Sequence, residues 1–355
     1  MNRPLLIVLV VAGLLSACGS DEVSPTTAIS GSAAPAGVEP AAAPKFPVTI
    51  STTQGPITIK EQPRRVVALG YGDADTAIAL GTEPVGVGAW SMFGDSGVGP
   101  WAEDRLKNRP AVIPELESAE VSQENQRFEQ IEALEPDLIL QTDLTVEQDV
   151  YDRLSQIAPV VTGPLMVGEF DELKFDHQTM HIAEALGIPG EGRKLLDRLQ
   201  TRTEGVSQAN PQFTGKTVAS LTLQDSGWWA ALDSSNPFQF FESLGFEQNP
   251  EIEDMAFDAD QAGLTEFGSG AVPVPEDGFS RVNSDLLVLV ADGEYDADDI
   301  TADPEFSELP ATRAGHSLVL DGQQGTSFAV ALARPTVLSS FWMLDNFVPE
   351  LTKHV

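Results

Sequence analysis

The feature that most constrains this chain is a strand, a glycine-flanked loop and a helix placed end to end, an order that then recurs. Arg65-Val66-Val67-Ala68-Leu69 is an apolar, β-branched run of strand length without polar alternation, as expected of a strand buried on both faces. Gly70-Tyr71-Gly72 interrupts it, Asp73 offers an N-cap side chain, and a helix is predicted over 74–80, closed by Gly81. The order returns in Val85-Gly86-Val87-Gly88-Ala89, which leads into Trp90, and in a short helix over 128–134 that runs into Pro136-Asp137-Leu138-Ile139-Leu140. Strands alternating with helices predict parallel α/β construction, with ligand-facing loops gathered at the C-terminal ends of the strands.

Ahead of this unit, Val48-Thr49-Ile50 and Ile57-Thr58-Ile59 flank Gln54-Gly55-Pro56 and read as a hairpin. Beyond it, Phe170, Leu173, His177, Met180 and Ala183 fall three and four apart, one face of a long helix expected from 169 to about 186 and ended by Ile188-Pro189-Gly190. Strand signals restart at 217–223, 286–290 and 317–320, so a second α/β lobe follows the long helix. The chain closes on a predicted helix over 336–351, with Val337, Phe341, Leu344 and Val348 on one stripe and Pro335 at its start. No repeat of fixed solenoid period occurs.

The N-terminus is built differently. Arg3, an apolar run over 5–15 and small residues up to Cys18 have the layout of a secretory signal, too short to span a bilayer. Leu15-Ser16-Ala17-Cys18 resembles the bacterial lipobox, in which the cysteine is lipidated and becomes the first residue of the mature protein. Cys18 is the only cysteine, so no disulfide forms within the chain. From 19 to 45 the sequence is dominated by Ser, Thr, Ala, Pro, Gly and Glu and reads as a tether that cannot offset its own ordering entropy. The 54 acidic against 20 basic residues give a formal charge of -34, which keeps the protein soluble and makes nucleic acid and anionic membrane surfaces poor partners.

Five stretches, over 65–81, 84–90, 128–140, 285–290 and 334–351, together resemble the class III periplasmic binding proteins that serve siderophore, haem and cobalamin importers. Phe128-Glu129-Gln130-Ile131-Glu132-Ala133-Leu134-Glu135-Pro136-Asp137-Leu138-Ile139 is the most specific of them. The resemblance covers residues 46–355. It implies an α/β fold of two Rossmann-like lobes joined by a single long α-helix, with the ligand cleft between the lobes and only slight closure on binding. The implied division is a signal peptide at 1–18, a tether at 19–45, an N-terminal lobe at 46–168, a connecting helix at 169–189 and a C-terminal lobe at 190–355. Gly86-Val87-Gly88-Ala89-Trp90 and Trp101-Ala102-Glu103-Asp104 resemble the actinobacterial ferric-siderophore branch. The implied function is a lipid-anchored, extracytoplasmic receptor at the cell membrane, monomeric, that delivers a ferric siderophore to an ABC permease and its ATPase. Members dock through one carboxylate on each lobe; Glu129 matches the N-lobe position, and Glu276 or Asp277 the C-lobe one.

Aromatic placement adds to this. Tyr71, Trp90 and the pair Trp228-Trp229 follow predicted strand ends, and Trp101 lies in the same N-lobe loop, where stacking faces suit a bulky chelate. Trp342 belongs to the last helix and is expected in the core. For an anionic ligand, Arg313 and Arg334, each beside a loop or helix start, are the cleft candidates, whereas Arg127 and Arg281 read as surface cations. The scarcity of cations favours a low-charge hydroxamate complex over a highly anionic catecholate.

Other chemistries find less support. His177 and His181 lie four apart, a spacing at which two imidazoles can share a metal, but only His316 and His354 occur elsewhere and packed or solvated histidines are expected. No metal site and no cofactor is predicted; haem, with Tyr71, Met92 or His316 as axial ligand, is the nearest alternative cargo, and cobalamin stands behind it. The chain holds no nucleophile elbow, dinucleotide fingerprint, P-loop or His-Glu-x-x-His, so a secreted enzyme is not expected; a surface adhesion or redox-partner module is the remaining rival.

Overall fold

The computed structural model describes residues 43–90, 93, 96–114, 121–142, 146–164, 174–224, 227–261, 270–275, 278–291 and 297–355. The expected signal peptide, Cys18, all but the end of the tether, Met92, Glu276 and Asp277 lie outside these residues, as do Phe170 and Leu173.

An antiparallel hairpin of β1 (Val48–Thr52) and β2 (Gly55–Ile59) opens the fold. There follow β3 (Val66–Ala68), α1 (Asp73–Ala79), β4 (Gly86–Gly88), α2 (Pro100–Glu103), β5 (Ala111–Ile113), α3 (Val121–Ala133), β6 (Leu138–Gln141), α4 (Gln148–Ile157) and β7 (Val160–Thr162). The strands pair in the order β5-β4-β3-β6-β7, every pair parallel. The central strands β3 and β6 are buried along their whole length, as the unbroken apolar runs predict. The turn from α3 into β6 explains why the Glu135-Pro136-Asp137 phrase is so specific. Glu135 adopts a left-handed φ of 46°, and the Asp137 carboxylate accepts the backbone N–H groups of Arg64 (2.8 Å) and Arg65 (2.8 Å). Arg65 returns the contact, its Nε donating to the Leu134 carbonyl at 2.9 Å. One acid and one base thereby pin the entry of β6 to the entry of β3.

The chain then crosses through α5 (Phe175–Ala185) and α6 (Pro189–Ala209). The helix expected to end at Ile188-Pro189-Gly190 is α5, and α6 begins at Pro189, with Leu186-Gly187-Ile188 between them. Gly187 holds φ 72°, and a Cβ there would sit 2.7 Å from the Phe46 ring. Both the left-handed backbone and the ring require glycine. α5 packs on β1 and α1, and α6 packs most closely on α5.

That second sheet is made by β8 (Thr217–Gln224) and β9 (Gly227–Ala231), then, after α7 (Asn236–Leu244), β10 (Glu247–Gln248) and α8 (Pro250–Gln261), by β11 (Ala271–Pro273) and β12 (Leu286–Ala291). Helices α9 (Ala297–Ala302), α10 (Pro304–Glu308) and α11 (Pro310–Ala314) lead to β13 (Ser317–Leu320), and α12 (Gly322–Ala333) and α13 (Val337–Leu351) finish the chain. The order is β11-β9-β8-β12-β13, with β10 also on β8. β8, β10, β12 and β13 pair in parallel, as α/β construction predicts, whereas β9 runs antiparallel to β8 and β11 antiparallel to β9. A tight reversal after β8 leaves no helix to carry the chain back across the sheet, so only an antiparallel partner can form.

The last helix ties the halves together. Thr336 caps α13, accepting from Ser339 N at 3.0 Å while Ser339 Oγ accepts from Thr336 N at 2.7 Å. Along its length α13 packs on α1, α2 and α5 as well as on α6 and α12. One apolar cluster consequently runs from Val87, Trp90 and Trp101 through Leu338 and Phe347 to Val218 and Val288.

Candidate functional site

The loop after β3 is held from three sides. Asp73, fully buried, accepts from Gly70 N (2.9 Å), Thr142 N (3.1 Å) and Gln178 Nε2 (3.1 Å), and from the Thr142 hydroxyl. Gln178, reaching in from α5, also donates to the Tyr71 carbonyl at 2.6 Å. Gly72 has φ 77°, and a Cβ there would meet Gln178 Oε1 at 2.7 Å. The loop is therefore rigid, and it fixes Tyr71 at the C-terminal edge of the N-lobe sheet.

Tyr71 lies in a stack. Its ring centroid is 3.7 Å from Trp90 at 19°, and the Arg334 guanidinium stands over it, 4.6 Å from the centroid. Arg334, exposed, comes from the α12–α13 junction, so the contact joins the loop after β3 to the last third of the chain. Behind Trp90, which is 5% exposed, lie Phe93 (5.4 Å) and Trp101 (6.2 Å). Trp101 is not a loop residue: it is buried in α2, packs on Trp342 at 5.6 Å and donates through Nε1 to Asp75 Oδ2 at 2.5 Å. Asp75 also accepts from Thr336 Oγ1 at 2.7 Å. Burial pushes the Asp75 carboxyl up to about 6 against the pull of those two hydrogen bonds. Nothing in the sequence pattern singled out Asp75 or Gln178, although Asp75 is a second acid buried in the first turn of a short helix otherwise made, after Asp73, of Ala, Thr and Ile.

Four of the anticipated ligand residues, Tyr71, Trp90, Trp101 and Arg334, thus come together, with Tyr71 and Arg334 at the surface and the two tryptophans behind. The others do not join them. Trp228 and Trp229 sit within strand β9 rather than in a loop; alternation turns Trp228 into the core against Phe279 (5.4 Å) and Trp229 to the opposite face, half-buried. Arg313 lies on α11, leading into the N-terminal end of β13 and therefore at the sheet edge opposite the strand C-termini, paired with Glu308. Arg281 is a surface cation as expected, bound to Glu251 at 3.0 Å. Arg127 is not: it is 7% exposed.

Glu129 is exposed on α3, free to meet a partner. The histidines change places with the helical reading. His177 is exposed, while His181 is buried, its Nε2 2.8 Å from the Thr162 carbonyl, and burial lowers its pKa. Among the described residues no group of three potential metal ligands occurs. A cavity of about 350 Å³ lies elsewhere, between Leu80, Gly81, Leu186, Ile188 and Arg198 where the tether enters at Pro44, and none of the aromatic residues above lines it.

The Periplasmic binding protein family model matches residues 66–324. The chain is 26% identical over 249 residues to the Probable siderophore-binding lipoprotein YfiY of Bacillus subtilis (strain 168), covering 69% of this chain and 66% of that protein. It is 23% identical over 283 residues to the Fe(3+)-citrate-binding protein YfmC of the same bacterium, covering 79% and 80%. The crystal structure of a periplasmic solute binding protein from Mycobacterium smegmatis superposes with a TM-score of 0.68 at 27% identity, over 87% of this chain and 98% of that one.

Proposed function

Because the chain belongs to the periplasmic binding protein family, a family of solute-binding proteins and not of enzymes, we propose that it is the extracytoplasmic receptor of an ABC importer and captures a ferric siderophore. The observation that carries this reading is the Tyr71–Trp90 stack capped by Arg334: a rigid aromatic wall with a cation on it, at the strand ends where α/β sheets hold ligands. Such a wall buries a bulky chelate at little entropic cost, and the guanidinium meets its oxygens. Relatives whose names record siderophore and ferric-citrate binding support the cargo class.

In this reading the Cys18 lipid holds the mature protein at the outer face of the cell membrane, and the monomer docks on its permease through Glu129 and an acidic residue of the second lobe, Glu276 or Asp277. The family's cargo need not be siderophore, and haem and cobalamin are the competing ligands. The test is a titration of the detergent-solubilised full chain with ferrioxamine, ferric citrate, haemin and cobalamin, following tryptophan emission. Saturable quenching by a ferric chelate alone is expected, since Trp90 stacks on the residue the ligand touches. Saturation by haemin alone, with a Soret shift, would replace the siderophore by haem, and silence toward all four would remove the importer reading.

A further inference from the structure

The stack of Tyr71 and Trp90 is supported by two distant parts of the chain, and both supports end on one atom. Asp75 Oδ2 accepts from Trp101 Nε1 at 2.5 Å and from Thr336 Oγ1 at 2.7 Å. Trp101 is the backing: its ring lies edge-on to Trp90 (66°) and to Phe93 (87°). It fits there only because Gly99 has no side chain, a Cβ at that position falling 2.4 Å from the indole. Thr336 is the root of the cover. It follows two residues after Arg334, whose guanidinium stands over Tyr71, and Pro335 between them restricts the backbone. Thr336 also meets the Tyr71 loop, since a Cβ on Gly72 would lie 3.3 Å from its methyl group.

Packing alone asks for no charge at this junction. Asparagine has the same shape and offers an oxygen to both donors, whereas the carboxylate of Asp75, 1% exposed, is raised to about 6 by burial against the hydrogen bonds from Thr336 and Trp101. What ionisation adds is grip, because hydrogen bonds to a charged acceptor are shorter and about twice as strong as neutral ones. The other ionisable groups on the elements packed around α1 are engaged elsewhere or lie outside. Asp73 is bound by Gly70, Thr142 and Gln178. On α5, His181 turns to the Thr162 carbonyl, Asp176 accepts from His177 N, and His177 and Glu184 are exposed. Glu103 on α2 is exposed, Asp345 on α13 pairs with Arg202, and Glu350 pairs with Lys353.

We propose that Asp75 is a positioning residue of the ligand site: by gripping Trp101 and Thr336 together, as the carboxylate, it sets how the Arg334 cover stands over the Tyr71–Trp90 wall, so that capture is strongest where Asp75 is ionised and weakens in mild acid. The proposal rests on the siderophore-receptor reading and adds to it a residue that the chelate does not touch. A buried charge that lowers stability at neutral pH, where an amide would not, is the trade expected of a group kept for binding.

The experiment titrates the detergent-solubilised full chain and its Asp75→Asn variant with ferrioxamine and with ferric citrate at pH 7.5 and pH 5, taking the ratio of the two proteins at each pH so that the chelate's own titration cancels. Asp75→Asn is expected to bind about 3- to 10-fold more weakly at pH 7.5, the difference between a charged and a neutral acceptor, and level with the wild type at pH 5. It should do so while melting no earlier than the wild type, a separation of affinity from stability that a merely structural residue does not give. Ligand-free tryptophan emission supplies an independent reading. In the wild type it should change with a midpoint near pH 6, and neither Asp75→Asn nor Trp101→Phe should show that step. Equal affinity of the two proteins at both pH values, or an emission step that survives in Asp75→Asn, would overturn the positioning role and spare the receptor. A wild type that binds neither chelate would remove the siderophore reading and the positioning role with it.

Discussion

Asp75 shows at the scale of one residue how the two halves are joined. Its carboxylate, 1% exposed, is the acceptor for an indole from α2 and for the hydroxyl that caps α13. Its pKa rises from 3.8 to about 6 because burial outweighs both hydrogen bonds. The native state therefore holds this proton more tightly than the unfolded chain does. The stabilisation is complete below about pH 4 and is lost as pH climbs through about 6, a change of about 3 kcal/mol at about 1.4 kcal/mol per pH unit. Asp75→Asn keeps an oxygen for both donors and removes the charge. By calorimetry it should melt above the wild type at pH 7.5 and level with it at pH 4; a lower melting temperature at both would mean that the carboxylate itself holds the junction. That Tyr71 and Trp90 follow strand ends could be read from the chain, because each comes just after an apolar run; that Trp90 is buried in the core could not. Asp75 could not, because its partners Trp101 and Thr336 are 26 and 261 residues away.

Elements were legible where one period governed them. The runs at β3, β6, β8 and β12 and the stripe of α13 appear where expected, since burial on both faces or on one stripe leaves a plain pattern. β9 was misplaced because Gly227-Trp228-Trp229-Ala230-Ala231 has no alternation of its own, and only pairing with β8 and β11 makes it a strand. The end of the first crossing helix was read at Ile188-Pro189-Gly190, and α6 does begin at Pro189, but the left-handed residue that makes the break is Gly187. Gly187 and Gly205 give the test. Gly187→Ala must bear the left-handed backbone and the Phe46 ring at 2.7 Å, together about 2–4 kcal/mol of destabilisation. Gly205→Ala, with nothing within 4 Å inside α6, should be neutral or stabilise by up to about 1 kcal/mol. Denaturant unfolding of the two variants measures the difference; equal effects would show that the break between α5 and α6 carries no constraint.

For the whole molecule, the decisive feature is that α6 is not the only crossing. α13 packs against both halves, and the apolar cluster is continuous through it from Trp101 to Phe328. Lobes joined by shared core resist large hinge motion, because opening would expose that surface to water. In the proposed importer, delivery then depends on the permease recognising a nearly fixed surface, for which Glu129, exposed on α3, is the proposed contact. Glu129→Lys should stop cellular uptake of the labelled chelate while the purified protein binds it as before, and Cys18→Ala should send the protein into the medium. Unimpaired uptake by the charge-reversed protein would remove docking through α3, and membrane retention of the cysteine variant would remove the anchor.

The sequence by itself determined the strand–loop–helix alternation, the long apolar runs and the aromatic residues at the first strand ends. These are local matters, set by periodicity and by backbone preference within a few residues. Only the tertiary structure decided that Trp101 turns inward to Asp75, that Arg334 covers Tyr71, that Trp228 belongs to a core and that Arg127 is buried. Each of these depends on groups brought together by α13 or by sheet pairing, and a charge or an aromatic ring carries no mark in the chain of which distant neighbour will enclose it.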